Sequence, residues 1–257
     1  MSMSAAMSDD DRPVTLVVQL GDGQHREPAE LRGIQGIRLM TGEPSLGAIM
    51  PDAQSRVFIV RSRLSLIPAS TRNIERTAMA GDLSRVHSAA ASAVDRALSC
   101  FSGAPEAVPF SADIGWARTI GALVSESTGI SPTVETVSTA RRAQIEYVVR
   151  CFSSDRRLTP GAIADALGVS RRTLYELAEP VFGGVSEYIR TTRALRASAL
   201  LADPALAHVS VAEIARTAGF SSPRHMSRAV VAVTGLCPHE LRPRNAVQTA
   251  GEDLASA

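Results

Sequence analysis

The feature that most constrains the fold of this chain is a short pattern that occurs twice. Residues 163–168 and residues 214–219, fifty-one positions further on, both have the sequence Ile-Ala-x-x-x-Gly. In each copy the apolar residues have helical spacing, the alanine lets two helices approach closely, and the glycine permits a left-handed turn. The sequence therefore predicts, at two places, a short helix that ends in a sharp turn.

The first copy lies between residues that begin helices. Thr159 is predicted to be the N-cap and Pro160 the first residue of the leading helix, where a missing N–H has no consequence. Gly168 is predicted to end that helix, and Ser170 to cap a second helix from residue 171 to about residue 179. A helix, a glycine turn and a capped helix make a helix-turn-helix unit, whose second helix lies in the major groove of DNA.

The second copy carries the same signals. Residues 210–213, Ser-Val-Ala-Glu, form a predicted capping box, and Ser222 with Pro223 is predicted to begin the helix after Gly219. Between the copies, the apolar residues of segment 185–202 predict one connecting helix. Its length would be roughly 27 Å, which is close to the roughly 34 Å between successive major-groove segments on one face of B-DNA. One chain is therefore expected to present two recognition helices to adjacent turns.

Polar residues at the start of each recognition helix are candidate DNA contacts. In the first unit these include Arg171 and Arg172, because their position directly after a cap favours DNA contact over a merely solvated face. In the second unit the candidates are Ser222, Arg224, His225, Ser227 and Arg228.

Charge is compatible with nucleic-acid binding without establishing it. Residues 150–244 contain 13 arginines and 8 acidic residues, which gives this segment a net charge of +5, while the whole chain carries +1. A modestly basic module suits contact with phosphates. The chain is 45% hydrophobic and 21% charged, as expected of a globular protein that buries a core.

Other functional classes find little support in the sequence. The three cysteines lie far apart, and we find no phosphate-binding glycine loop, metal-ligand cluster or nucleophile motif. We therefore predict that the protein is not an enzyme and needs neither a cofactor nor a metal. No apolar run approaches the roughly 18 to 20 residues that span a bilayer, and the N-terminus lacks a signal-peptide pattern, which predicts a cytoplasmic protein without membrane contact.

The N-terminal half has a mixed α+β pattern. Residues 14–20, 34–40 and 56–60 have the composition of short strands separated by turn formers, and they predict a small β domain. Residues 78–101 are rich in alanine and leucine, and residues 112–126 carry an apolar stripe at helical spacing. A helix or a helix pair is predicted over the first segment and a helix over the second, and the single tryptophan, Trp116, is expected in the core.

Four segments together resemble the AraC/XylS family of bacterial regulators. They are IADALGVSRRTL, EYIRTTRALRASALL, VAEIARTAGFSSPRHMSR and TGLCPHELRPR. The last is similar to the closing Gly-x-x-Pro-x-x-x-Arg of the family at Gly235, Pro238 and Arg242. The resemblance covers about residues 145–244, and it implies a mainly α domain in which a long helix joins two helix-turn-helix units. It also implies double-stranded DNA and RNA polymerase as partners.

The resemblance also implies which side chains face the bases. They are Arg172, Tyr175 and Glu176 in the first unit, and Arg224, His225 and Arg228 in the second.

A weaker resemblance concerns the N-terminal half. VTLVVQLGDG and FIVRSRLSLIP are similar to late strands of the β-barrel sensor that precedes this DNA-binding domain. Because relatives have further strands ahead of this point, we expect either a shortened sensor, a partial β-barrel followed by helices, or a missing start. The predicted organisation is therefore disordered ends at 1–12 and 245–257, a partial sensor or dimerisation domain at 13–130, a linker at 131–144 and the DNA-binding domain at 145–244. A small-molecule effector and a homodimer are left open.

Several residues keep a second interpretation. Tyr175 is equally suited to a partly buried surface position, Glu176 favours a salt bridge with Arg172 over base contact, and His225 is evenly balanced between DNA and solvent. Arg193, in the connecting helix, is expected to be a structural ion-pair member that bridges the two units.

The sequence also departs from the family pattern. Ala178 and Glu179 replace an aromatic and basic pair at the end of the first recognition helix, while Met226, Val230 and Val231 replace two aromatics and a base in the second. Fewer cations mean fewer phosphate contacts, so we predict that this chain binds DNA more weakly, and with less sensitivity to salt, than a strongly basic member of the family. The alternative function is a protein-interaction or architectural module that keeps the fold with weakened DNA readout.

Overall fold

A computed structural model describes residues 12–20, 34–42, 56–81, 83 and 109–243 of the chain. The chain divides into two compact units, Met1–Glu146 with Ile163–Ser170 and Tyr147–Ala162 with Arg171–Ala257, called here the N-terminal and the C-terminal unit. Nearly all of the two segments predicted to be disordered, and most of the helix predicted over residues 78–101, lie outside the described residues.

The N-terminal unit contains a three-stranded antiparallel sheet. Its strands are β1 (Pro13–Leu20), β2 (Ile34–Thr41) and β3 (Arg56–Arg63), and β1 lies in the middle. In the register, Leu16 of β1 lies opposite both Leu39 of β2 and Val60 of β3, and all three side chains are buried. The three predicted strands are therefore confirmed.

Among the residues that the structure describes, three α-helices follow the sheet before residue 153. They are α1 (Thr71–Met79), α2 (Pro109–Thr128) and α3 (Val134–Phe152). The helix α1 was not predicted from the sequence. It begins after Ser70, whose hydroxyl accepts the N–H of Asn73. The stripe predicted on α2 is confirmed, because its members are fully buried, namely Ile114, Ala117, Ile120 and Val124.

Trp116 lies in the core of the N-terminal unit, as predicted. It is 4% exposed, and its ring centroid lies 5.6 Å from that of Phe58 on β3. The amide of buried Gln144, on α3, donates to the carbonyl oxygen of Leu66 at 2.6 Å. These contacts join α2 and α3 to the end of the sheet.

The remaining helices are α4 (Pro160–Leu167), α5 (Arg171–Phe182), α6 (Val185–Ala202), α7 (Val211–Thr217), α8 (Pro223–Thr234) and α9 (Pro238–Leu241). The predicted connecting helix is confirmed with the predicted bounds, as α6. Within the described residues, none of the helices combines the length and the apolar character needed to cross a membrane.

One core joins α6, α7 and α8 in the C-terminal unit. Its members are buried, and most are small or aliphatic, namely Ala194, Ala197, Leu201, Ile214, Ala215, Ala218, Phe220, Met226, Ala229 and Val230. Met226 and Val230, two of the departures from the family pattern, are fully buried. The small alanines of α6 and α7 allow close packing, so the second recognition helix is held in a continuous core without the aromatic residues.

Candidate nucleic-acid interface

The first recognition helix, α5, follows a leading helix that begins as predicted. The Thr159 hydroxyl accepts the N–H of Ala162 at 3.1 Å, and α4 starts at Pro160. Gly168 ends α4 in the left-handed conformation, with φ +64°. These outcomes confirm the predicted cap, start and turn of the first unit.

The helix α5 runs through Pro180 to Phe182, past its predicted end near residue 179. A proline inside a helix lacks the N–H of the helical ladder, which is why the sequence favoured an earlier end. The ring of Phe182 stacks on that of Tyr188 of α6, with centroids 4.5 Å apart and an 8° angle between the planes. This packing accounts for the additional turn.

One face of α5 is buried and the opposite face carries the predicted site residues. Leu174 and Ala178 are buried, while the four candidates are exposed, namely Arg171, Arg172, Tyr175 and Glu176. The Tyr175 hydroxyl lies 3.1 Å from the Ser186 hydroxyl on α6. The first recognition helix therefore offers a polar outer surface beside the start of α6.

Arg172 and Glu176 form the salt bridge that the sequence favoured. Nε of Arg172 donates to Oε1 of Glu176 at 2.9 Å, and both side chains are well exposed. Such a pair contributes only about 0.3–0.5 kcal/mol, so it opens easily. The guanidinium also keeps its Nη donors, because the bond uses Nε.

The second unit follows the same plan with one difference. The Ser210 hydroxyl accepts the N–H of Glu213 at 3.2 Å, as predicted for the capping box. The Glu213 carboxylate, however, accepts from Arg216 at 3.2 Å, so the reciprocal half of the box is replaced by an ion pair. Gly219 takes the turn with φ +87°.

The second recognition helix, α8, begins at the predicted cap. The Ser222 hydroxyl accepts the N–H of His225 at 3.3 Å, and the Ser227 hydroxyl donates to the carbonyl oxygen of Pro223 at 2.9 Å. Ser222 thus caps the helix, while the Ser227 hydroxyl is bonded to the preceding turn of the helix itself. The three exposed candidates are Arg224, His225 and Arg228, and Nδ1 of His225 lies 3.0 Å from the Ser221 hydroxyl.

Arg193 does not form the ion pair that was predicted to bridge the two helix-turn-helix units. Its guanidinium donates to the carbonyl oxygens of Ser153 at 2.7 Å, Asp155 at 2.9 Å and Leu158 at 3.2 Å. Burial lowers the pKa of Arg193, and the nearby charge of Asp155 opposes this shift. Arg193 therefore fixes the loop of residues 153–158 onto α6, all within the C-terminal unit.

Arg242 plays the same part for the second unit. Its guanidinium donates to the carbonyl oxygens of Leu206, Ala207 and Val209, at 3.2 Å and 2.6 Å for the first two. The loop that precedes each helix-turn-helix unit is thus held by one arginine from further along the chain. The two helix-turn-helix units therefore share this arginine-held loop as well as the Ile-Ala-x-x-x-Gly pattern.

Residues 163–244 match a family model described as a helix-turn-helix domain. The chain is similar to the C-terminal domain of AraT, a response regulator from Geobacillus stearothermophilus, at 21% identity and a TM-score of 0.37, over 40% of this chain and 83% of that one. No curated protein matches the chain.

It is also similar to a transcriptional regulator from Chromobacterium violaceum, described as an AraC-type DNA-binding domain-containing protein. The identity is 28% and the TM-score 0.36, over 41% of this chain and 91% of that one. Two capped units, the long helix between them and the family match agree over the same part of the chain. Residues 163–244 therefore belong to a helix-turn-helix domain.

Proposed function

We propose that the protein is a sequence-specific transcription regulator whose helices α5 and α8 enter two successive major-groove segments of double-stranded DNA. The observation that carries this proposal is that the chain twice has a capped short helix, a left-handed glycine and a further helix, with an 18-residue helix, α6, between the copies. The DNA-binding domain spans residues 145–244 and a sensor or dimerisation domain residues 13–130. Such a regulator acts in the cytoplasm, where chromosomal DNA is accessible.

Base readout is assigned to the exposed arginines of the two recognition helices. An arginine can donate two parallel bonds to O6 and N7 of guanine, which is the commonest specific contact in the major groove. Arg172 on α5 and Arg228 on α8 are exposed, and both helices have capped or arginine-rich starts that suit phosphate oxygens. Each helix therefore combines a base-reading side chain with backbone donors for phosphates.

Selection of bound fragments from random duplex DNA tests the proposal. We expect an enriched motif with two conserved blocks whose centres lie about one helical turn apart. Recovery of fragments without any enriched motif would overturn the proposed readout and would support the architectural alternative.

The two arginines are expected to read different blocks of that motif. Arg172→Ala should relax base preference in one block and Arg228→Ala in the other, each by about 1–3 kcal/mol of discrimination. Competition binding with single-base variants of the selected site measures this loss. Arg196→Ala, an exposed arginine on α6, is the control and should leave the preference unchanged. Equal weakening on all sequences would instead assign Arg172 and Arg228 to phosphates.

A further inference from the structure

We propose that a groove in the C-terminal unit, the arginine groove, binds a phosphate of the DNA backbone between the two base-reading contacts. The groove is lined by Arg156 and Arg157 from the loop after α3, Arg190 and Arg193 from α6, and His225 and Arg228 from α8. The inference rests on the proposed function, because it requires both recognition helices to engage one duplex.

The groove is large and its lining is basic. Its volume is about 740 Å³, which is ample for a phosphodiester group and its hydration shell. Five arginines and one histidine line it, and no acidic side chain does. Four of these arginines, Arg156, Arg157, Arg190 and Arg228, are exposed to solvent and can therefore meet a ligand.

Part of this charge has no internal partner. Arg157 is bonded to Asp155 at 2.8 Å, Arg190 to Glu187 at 2.5 Å, and Arg193 to three carbonyl oxygens. Arg156 and Arg228, in contrast, have no hydrogen-bond or ion-pair partner among the described residues. Arg156 also contributes to lowering the pKa of Arg193, as expected where like charges lie close together. The groove therefore holds uncompensated positive charge that an anion would neutralise.

The position of the groove favours backbone phosphate as that anion. Ser186, which lies in the groove, reaches the Tyr175 hydroxyl of α5, while His225 and Arg228 belong to α8. The groove thus follows α6 between the two recognition helices. When two recognition helices occupy successive major-groove segments, the intervening minor groove and its phosphates face the helix between them. Arginines placed there meet phosphates whatever the base sequence.

Arg156→Gln tests this assignment most cleanly, because the substitution breaks no internal contact. We expect binding to weaken by about three- to tenfold on the selected site and on unrelated DNA alike. The slope of log K against log salt should become shallower by about 0.9, the value for one lost phosphate contact. Arg72→Gln removes the same charge from an exposed position on α1, and it should change neither quantity.

Methylphosphonate duplexes identify the phosphate that is bound. One uncharged linkage is placed at successive positions between the two selected blocks, and each duplex is titrated with the wild-type chain and with Arg156→Gln. We expect one or two neighbouring positions to weaken the wild type while leaving Arg156→Gln unaffected. If each uncharged linkage weakened the wild type and Arg156→Gln by the same factor, at every position, the assignment would be overturned.

Further outcomes separate this inference from the proposed function and from a free ligand. Sequence-specific binding with an unchanged salt slope in Arg156→Gln would overturn the inference alone, whereas a chain that selects no motif overturns the proposed function as well. Inorganic phosphate is titrated against the DNA-free chain by calorimetry. Saturable binding below millimolar concentration, lost in Arg156→Gln and combined with normal DNA affinity, would show a site for a free anion and contradict the backbone assignment.

Discussion

Replacing Arg193 by glutamine is expected to destabilise the C-terminal unit by about 3 kcal/mol, because buried acceptors left without partners each cost about 1–3 kcal/mol. The guanidinium is partly buried and donates to three carbonyl oxygens, those of Ser153, Asp155 and Leu158. A glutamine amide has only two N–H donors and a shorter side chain. Unfolding in urea, followed by circular dichroism, measures the loss.

Two further variants distinguish geometry from charge. Arg193→Lys keeps the positive charge but lacks the planar fork, so it should recover less than half of the lost stability. Arg196→Gln, one turn further along α6 and exposed, should change the free energy of unfolding by less than about 0.5 kcal/mol. A loss at Arg196 equal to that at Arg193 would contradict the role assigned to the three bonds.

Much of the helical part of the chain could be predicted because its signals are local. The caps at Thr159, Ser210 and Ser222 and the turn at Gly219 each depend on a residue type and on neighbours within a few positions. The connecting helix depends on periodicity over its own length alone. Rules of short range therefore recovered the two units and the length of the helix between them.

What the sequence could not provide depends on contacts between distant residues. Phe182 prolongs α5 past Pro180 because it stacks on Tyr188, which propensity alone does not predict. Met226 and Val230 replace the aromatic residues of the family pattern, and the sequence alone did not show how they would pack. Both side chains are fully buried in a core that is rich in alanine.

In the candidate site, too, local features could be predicted from the sequence and long-range contacts could not. Exposure of the candidates on α5 and α8 follows from helical periodicity, so the sequence could identify the outer faces. The arginine groove, in contrast, joins Arg156, Arg190 and Arg228, which are separated by more than thirty residues at each step. No local pattern brings them together. Arg193 was likewise predicted to pair with a carboxylate. Its observed partners are backbone carbonyl oxygens of the loop of residues 153–158, which lies about forty residues earlier in the chain.

Gly219 lies in the turn of the second helix-turn-helix unit and packs against the loop of residues 153–158. Gly219→Ala is expected to lower the free energy of unfolding by about 3 kcal/mol or more, through backbone strain and a close contact. The residue has φ +87°, and an added Cβ would lie 2.5 Å from the carbonyl oxygen of Ser153 and 3.0 Å from Nε of Arg193. That oxygen cannot retreat easily, because it accepts the bond from Arg193 at 2.7 Å.

Gly235→Ala supplies the matched control in the same unit. Gly235 also has a positive φ, +74°, but an added Cβ would meet nothing within 4 Å. Gly235→Ala should therefore lower the free energy of unfolding by only about 1 kcal/mol, the cost of holding an alanine in the left-handed conformation. The difference between the two variants in urea unfolding isolates the contact with the loop. Equal losses would mean that the loop moves away from Gly219 without cost, and the bond from Arg193 to Ser153 would then contribute little to holding the second turn in place.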